Sequence, residues 1–136
     1  MTLLPAAVAT RVQELSGALD RVEQQRPDVL LVHSDVVFYV QHLRVIEFAA
    51  RHSLPSMYSF TRDVEDGGLM AFAVEFRELF ARAPVIIDKI LKGAKPADIP
   101  IEQPTRYGLW LNLKTAKTLG LPIPPLVLVQ ALRLIQ

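Results

Sequence analysis

Cysteine is absent from the 136 residues. Disulfides, thiolate metal centres and thiol nucleophiles are therefore excluded. The absence is silent on compartment, because a cysteine-free chain suits oxidising and reducing spaces alike. An excess of charge is missing too: 15 Lys and Arg face 14 Asp and Glu, for a net charge of +1. With no basic surplus to release counterions from a phosphate backbone, no nucleic-acid partner is expected. The same balance gives no electrostatic reason to lie on an anionic membrane. No apolar run approaches the ~20 residues of a spanning helix, so no membrane insertion is expected either. A leader is also unconvincing. MTLLPAAVA ends in Ala7-Val8-Ala9, which imitates a small-residue cleavage site, but no Lys or Arg precedes it and Pro5 interrupts it. With no signal peptide, a cytoplasmic location is open to the chain as it stands.

What is present describes one folded domain. Half of the residues are apolar (51%) and 21% are charged, a balance that argues against disorder. Residues 6–10 read as a short strand. Val12, Leu15, Leu19 and Val22 recur at helical spacing over 12–25, and Arg26-Pro27 ends that helix. Asp28 to His33 is a continuous apolar run, as in a strand buried on both faces. Ser34-Asp35 caps a helix over 36–52 whose inner face is expected to carry Tyr39, Leu43, Ile46 and Ala50. Pro55 to Phe60 is a third strand, and Thr61 to Asp66 a helical turn before Gly67-Gly68.

Leu69 to Ala73 reads as a further strand and 74–92 as a helix lined by Phe76, Leu79, Phe80, Ala83, Ile87 and Ile90. Pro84 is expected to kink it and Gly93 to end it. Residues 94–105 form a proline-rich connector. Tyr107, Leu109, Leu111 and Leu113 alternate as in a half-buried strand. Lys114 to Leu119 is a short helix, and Pro125 opens a last one. Strands alternating with helices predict an α/β domain with a parallel sheet flanked by helices.

The inventory of reactive groups is thin. His33, Ser34 and Asp35 are the residue types of a hydrolytic triad, but adjacent side chains diverge and cannot form one. His33, His42 and His52 lack metal-ligand spacing, and His42 and His52 are expected to be partly solvated on their helix. Gly67-Gly68 belongs to no phosphate-binding pattern. No catalytic residue, metal or cofactor is expected, and the chain reads as a non-enzyme.

Binding is another matter. In an open parallel sheet, ligands gather beyond the carboxyl ends of the strands. Here those ends carry Ser34 and Asp35, then Tyr58, Phe60 and Arg62, then the turn Gly67, Gly68, Leu69 and Met70. Asp35 suits an ammonium, Arg62 or the turn amides a carboxylate, and Tyr58 or Phe60 an aromatic ring. The alternative for each ring is packing in the core.

Three segments carry a resemblance: ARHSLPSMYSFTRDVEDGGLMAFA, DKILKGAKPADIPIEQPT and LWLNLKTAKTLGLPIPP. Their order is similar to that in ABC transporter substrate-binding proteins of the type I periplasmic-binding fold, tryptophan/tyrosine-type branch. The likeness covers about residues 28–126. It implies that residues 1–136 are equivalent to the carboxyl-terminal lobe of a two-lobe protein. Residues 69–92 would be the strand and helix that cross the hinge.

The resemblance implies a solute such as an aromatic amino acid, bound without chemical change between two lobes. It places Ser34, Asp35, Tyr58, Phe60 and the Gly67–Met70 turn on the cleft. The implied partners are permease subunits or a separate amino-terminal lobe, and the implied location is periplasmic or lipid-anchored outside the cytoplasm. The chain departs from the family where Ala71-Phe72-Ala73 replaces hydroxyl-bearing residues, at Pro84, and in the apolar segment Leu126–Val129. Without a second lobe, the apolar side of 74–92 needs another cover. It must fold back on its own sheet or pair with another chain, which predicts a homodimer through residues 69–92. The alternative role is a remnant lobe that oligomerises and binds nothing.

Overall fold

The computed structural model describes residues 2, 4–74, 76–104 and 107–136, with the side chains of 76–79 left out. A single 3-10 turn at Val12–Glu14 leads into α1 (Leu15–Gln25). Arg26 ends α1 in the left-handed conformation, φ 46°, directly before Pro27. There follow β1 (Leu30–Leu31), α2 (Val36–Val40), α3 (His42–Arg51), β2 (Ser56–Tyr58), α4 (Thr61–Glu65) and β3 (Met70–Val74). After α5 (Phe76–Leu91) and the connector come β4 (Tyr107–Asn112), α6 (Leu113–Thr118), α7 (Pro125–Gln130) and β5 (Ala131–Ile135).

The five strands stand in chain order, β1-β2-β3-β4-β5. β1, β2 and β3 are mutually parallel, β3 and β4 antiparallel, and β4 and β5 parallel again. The sheet is therefore mostly parallel, flanked by helices, as the alternation of elements predicts. The antiparallel pair marks where the chain leaves through α5 and returns.

One core layer joins Leu15 of α1, Val45 and Ile46 of α3, Tyr58, Val64, Ala71 and Trp110. A second, formed by Leu69, Leu111 and Ala116, packs α6 and the following loop against the sheet.

Several expectations need correction. No strand forms among the described residues of 6–10; Ala9 instead packs with Ala18 and Val37. β1 is short and lies at the sheet edge, with Leu31 exposed rather than buried on both faces. The 36–52 helix is two helices, separated at Gln41 (φ −106°, ψ 23°). The buried face is Val37, Val45, Ile46, Phe48 and Ala49, at i,i+4 spacing from Val37 through Gln41 to Val45 and Ala49, while Tyr39, Leu43 and Ala50 are exposed. β4 buries Gly108 and Trp110 on one face and Leu111 on the other, because it is flanked by strands on both sides and covered by α6. The sequence predicts only a last helix opened by Pro125; β5 after it goes unpredicted, because its pairing with β4 is long-range.

α5 runs through Pro84, and from Phe80 to Leu91 every side chain except Ile86 is exposed. Among the described side chains, Phe80 to Leu91 are not buried against the sheet. The bidentate Arg82–Glu102 pair, at 2.9 and 2.7 Å, ties the helix to the connector instead. The expected contacts of Phe76 and Leu79 lie outside the described side chains.

Candidate functional site

Because β1, β2 and β3 are parallel neighbours, their carboxyl ends open on one edge of the lobe. Ser34 and Asp35 are exposed there. One oxygen of Asp35 accepts the Val37 amide at 2.8 Å and so starts α2, the capping role its position predicts. The Ser59 hydroxyl donates to the Val32 carbonyl at 3.1 Å and laces the ends of β1 and β2 together.

Phe60 presents its ring edge-on to Tyr39, with centroids 5.1 Å apart and planes at 71°. The Arg62 guanidinium stands 4.1 Å from the centroid of the same Tyr39 ring. Its Nη2 donates to the Tyr39 carbonyl and to His42 Nδ1, the latter at 2.9 Å. His42 Nε2 lies 2.8 Å from Asp66 Oδ2. Thus α2, α3 and α4 meet through one chain of contacts, Tyr39–Arg62–His42–Asp66. His42, expected to be solvated, is only 14% exposed in its side chain.

The turn after α4 is held from below. Gly67 takes φ +117°, which other residues adopt only under strain. A Cβ on Gly68 would sit 2.7 Å from the Asp63 carbonyl oxygen and 2.6 Å from the Tyr58 ring. The Gly68 amide donates to that carbonyl at 2.7 Å. Asn112 caps α6 by accepting the Thr115 amide at 3.1 Å, and its Nδ2 donates to the Val64 carbonyl at 3.0 Å. The Thr115 hydroxyl donates to the Gly67 carbonyl at 2.8 Å. One turn of α6 therefore fixes a loop 48 residues away.

Beneath this turn, polar groups are buried at a cost. Burial pushes the Tyr58 phenol up to about 12, partly offset by Ser56, with the Asp63 charge adding to the rise. Burial likewise raises Asp63. His42 and Arg62 oppose that rise and Asp66 adds to it. Neither the Tyr58 hydroxyl nor Asp63 Oδ1 completes a hydrogen bond of ordinary geometry.

The expected residues thus separate into two groups. Ser34, Asp35, Phe60, Arg62, Gly67 and Met70 remain at least partly accessible. Tyr58 and Leu69 are each 2% exposed and sit in the two core layers, and Gly68 is buried between Tyr58 and Asp63. For Tyr58 the core alternative holds, because the ring must fill the space beneath a turn that has no side chain at Gly68. Tyr39 and His42 were missed as site residues. Their i,i+3 spacing was the available signal for a shared face. A groove of about 200 Å³ opens between α1 and α3, and none of the expected site residues line it.

The family described as ABC transporter substrate binding protein has a model that matches residues 1–135. The chain belongs to this family. Among solved structures, this chain is similar to one from Streptococcus pneumonia, described as an ABC domain in complex with L-Trp. The TM-score is 0.86 and the identity 28%, covering 93% of this chain and 43% of the other. A conserved domain protein from Vibrio cholerae has the same fold at TM-score 0.85 and 21% identity, covering 93% of this chain and 42% of its own. A ligand-free, open substrate-binding protein with adhesive properties from Clostridium difficile matches at TM-score 0.64 and 20% identity, covering 94% and 42%. No curated protein matches. This family member therefore spans under half the length of its structural neighbours, which makes it a partial lobe of their architecture. Among the described residues, no helix is long and apolar enough to cross a membrane.

Proposed function

We propose that this chain is the carboxyl-terminal lobe of an ABC transporter's solute-binding component, with residues 69–92 as the hinge-crossing strand and helix. It takes a small zwitterion, an aromatic amino acid being the first choice, and releases it chemically unchanged to permease subunits outside the cytoplasm. One observation carries the reading. Beyond the carboxyl ends of parallel strands lie an exposed carboxylate (Asp35) and an aromatic pair (Phe60 and Tyr39), with a guanidinium (Arg62) over the Tyr39 ring. Asp35 has the charge for the ammonium, Arg62 for the carboxylate, and Phe60 the face for an aromatic side chain. The neighbour complexed with L-Trp supports that choice of solute. Half a cleft buries only part of a ligand, so the isolated lobe binds weakly. Calorimetry with L-tryptophan tests this. Measurable heat that Asp35→Ala and Arg62→Ala each abolish supports the reading, and no heat at millimolar solute overturns it.

A second reading rests on α5. Phe80 (72%), Ile87 (54%) and Leu91 (81%) expose a large apolar surface. Each such side chain is worth about 1.5–3 kcal/mol when fully buried. A second copy, exchanging residues 69–92, would cover them and make the chain an oligomerising remnant lobe that binds no solute. Size-exclusion chromatography with light scattering decides this. A dimer at micromolar concentration that Ile87→Glu converts to monomer supports it, and a clean monomer of the unmodified chain overturns it.

A further inference from the structure

We propose that His42 is a positioning residue for Arg62: in its neutral form it anchors the guanidinium on Tyr39, and on protonation it releases it. The protein chemistry fixes which nitrogen carries the proton. Arginine has donors only and stays charged. Arg62 Nη2 stands 2.9 Å from His42 Nδ1, so Nδ1 must be the acceptor and the ring proton must be on Nε2. Nε2 in turn lies 2.8 Å from Asp66 Oδ2, which accepts that proton's hydrogen bond. Asp66 thereby selects the tautomer that leaves a lone pair facing Arg62, the second-partner logic by which a carboxylate orients an imidazole.

A second proton would go to Nδ1. It would turn the acceptor into a donor and set an imidazolium against a guanidinium. The contact with Arg62 is then lost while the one with Asp66 is strengthened. Among the described residues, the charged groups that face His42 are Arg62 and Asp63 of α4 and Asp66, which caps its end. Tyr39, from α2, offers its ring face and carbonyl to Arg62. Arg62 freed from His42 keeps only those two contacts, on a ring that is 44% exposed. The consequence for transport rests on the function proposed above: a solute carboxylate would meet a fixed guanidinium at neutral pH and a mobile one in acid.

The test has two arms. In the first, without solute, nitrogen NMR of the His42 ring and of the Arg62 guanidinium is followed from pH 8 to 5. The expected result is an Nε2-protonated ring at pH 8 and an Arg62 signal that broadens as His42 titrates. In His42→Asn, whose amide oxygen replaces the Nδ1 acceptor, the Arg62 signal should not respond to pH. An Nδ1-protonated ring, or an Arg62 signal that ignores the titration, overturns the proposal. In the second arm, L-tryptophan affinity should fall about tenfold between pH 7.5 and 5, the value of one hydrogen bond to a charged group. It should be flat in His42→Asn and uniformly weak in His42→Leu. A parallel fall in His42→Asn overturns the proposal. If tryptophan binds at no pH, the solute reading fails and the first arm alone decides the role of His42.

Discussion

Residues 56–74 and residues 76–104 are consecutive stretches with opposite physical situations. In the first, β2, α4 and β3 are held by strand pairing on both sides, by Asn112 and Thr115 from α6, and by a buried layer that includes Tyr58, Val64 and Ala71. In the second, the described side chains of α5 are exposed except at Ile86, and an exposed ion pair ties the helix to its connector. Both are amphipathic in sequence. The difference teaches that an apolar stripe reports a demand for burial and does not say where it is met. In the first stretch the demand is satisfied inside the lobe. In the second it is left for another surface, in a chain that spans only 43% of its L-Trp-complexed neighbour.

The comparison breaks most readily at its core. Leu111→Ala, at a fully buried position that touches α6, should cost about 2–5 kcal/mol in urea unfolding. A loss no larger than that of a surface change would mean the two stretches do not differ as described. Asn112→Ala removes the α6 cap and leaves the Val64 carbonyl with only the longer bond from the Gly67 amide, for about 1–3 kcal/mol. It should also loosen the Gly67 turn, seen as faster amide exchange at Gly68.

Asp63→Asn sharpens the same side of the contrast. Because the folded-state value of Asp63 is raised, the unfolded chain ionises first as pH rises, and the native state is progressively disfavoured. That loss begins at the ordinary carboxylate value and levels off above the folded one. The variant should match the unmodified chain at pH 3 and exceed it in stability at pH 7, read from the denaturation midpoint. On the other side of the contrast, Ile87→Ala should change the stability of the lone chain by less than about 0.5 kcal/mol, because Ile87 is more than half exposed. A larger loss at micromolar concentration that fades on dilution would show that a second surface covers α5.

Much of this was readable from local chemistry. Arg26-Pro27 ended α1, Asp35 capped α2, and Gly67-Gly68 marked the turn, because each acts through its own backbone or its nearest neighbours. The strand ends of the candidate site followed from the alternation of strands and helices. What misled was the assignment of faces. Tyr39 was expected inside and Phe60 and Tyr58 alike at the cleft, yet Tyr39 is exposed and Tyr58 is core. The space under Gly68 decides the orientation of Tyr58 and leaves no periodic trace, whereas for Tyr39 a second apolar face, through Val37, Val45 and Ala49, competes in the same helix pattern. β5 was missed for a related reason: its five residues become a strand only by pairing with β4.

By itself, then, the sequence determined the order of elements, the α/β class and the edge where polar, aromatic and charged groups gather. These depend on propensities, caps and hydrophobic period, which operate over a few residues. The tertiary structure alone decided that His42 links Arg62 to Asp66 across 20 and 24 residues of chain, that α6 braces the glycine turn, and that α5 from Ala81 to Leu91 stays exposed except at Ile86. Contacts of that range depend on how whole elements are stacked, and the pattern of any one segment does not encode them.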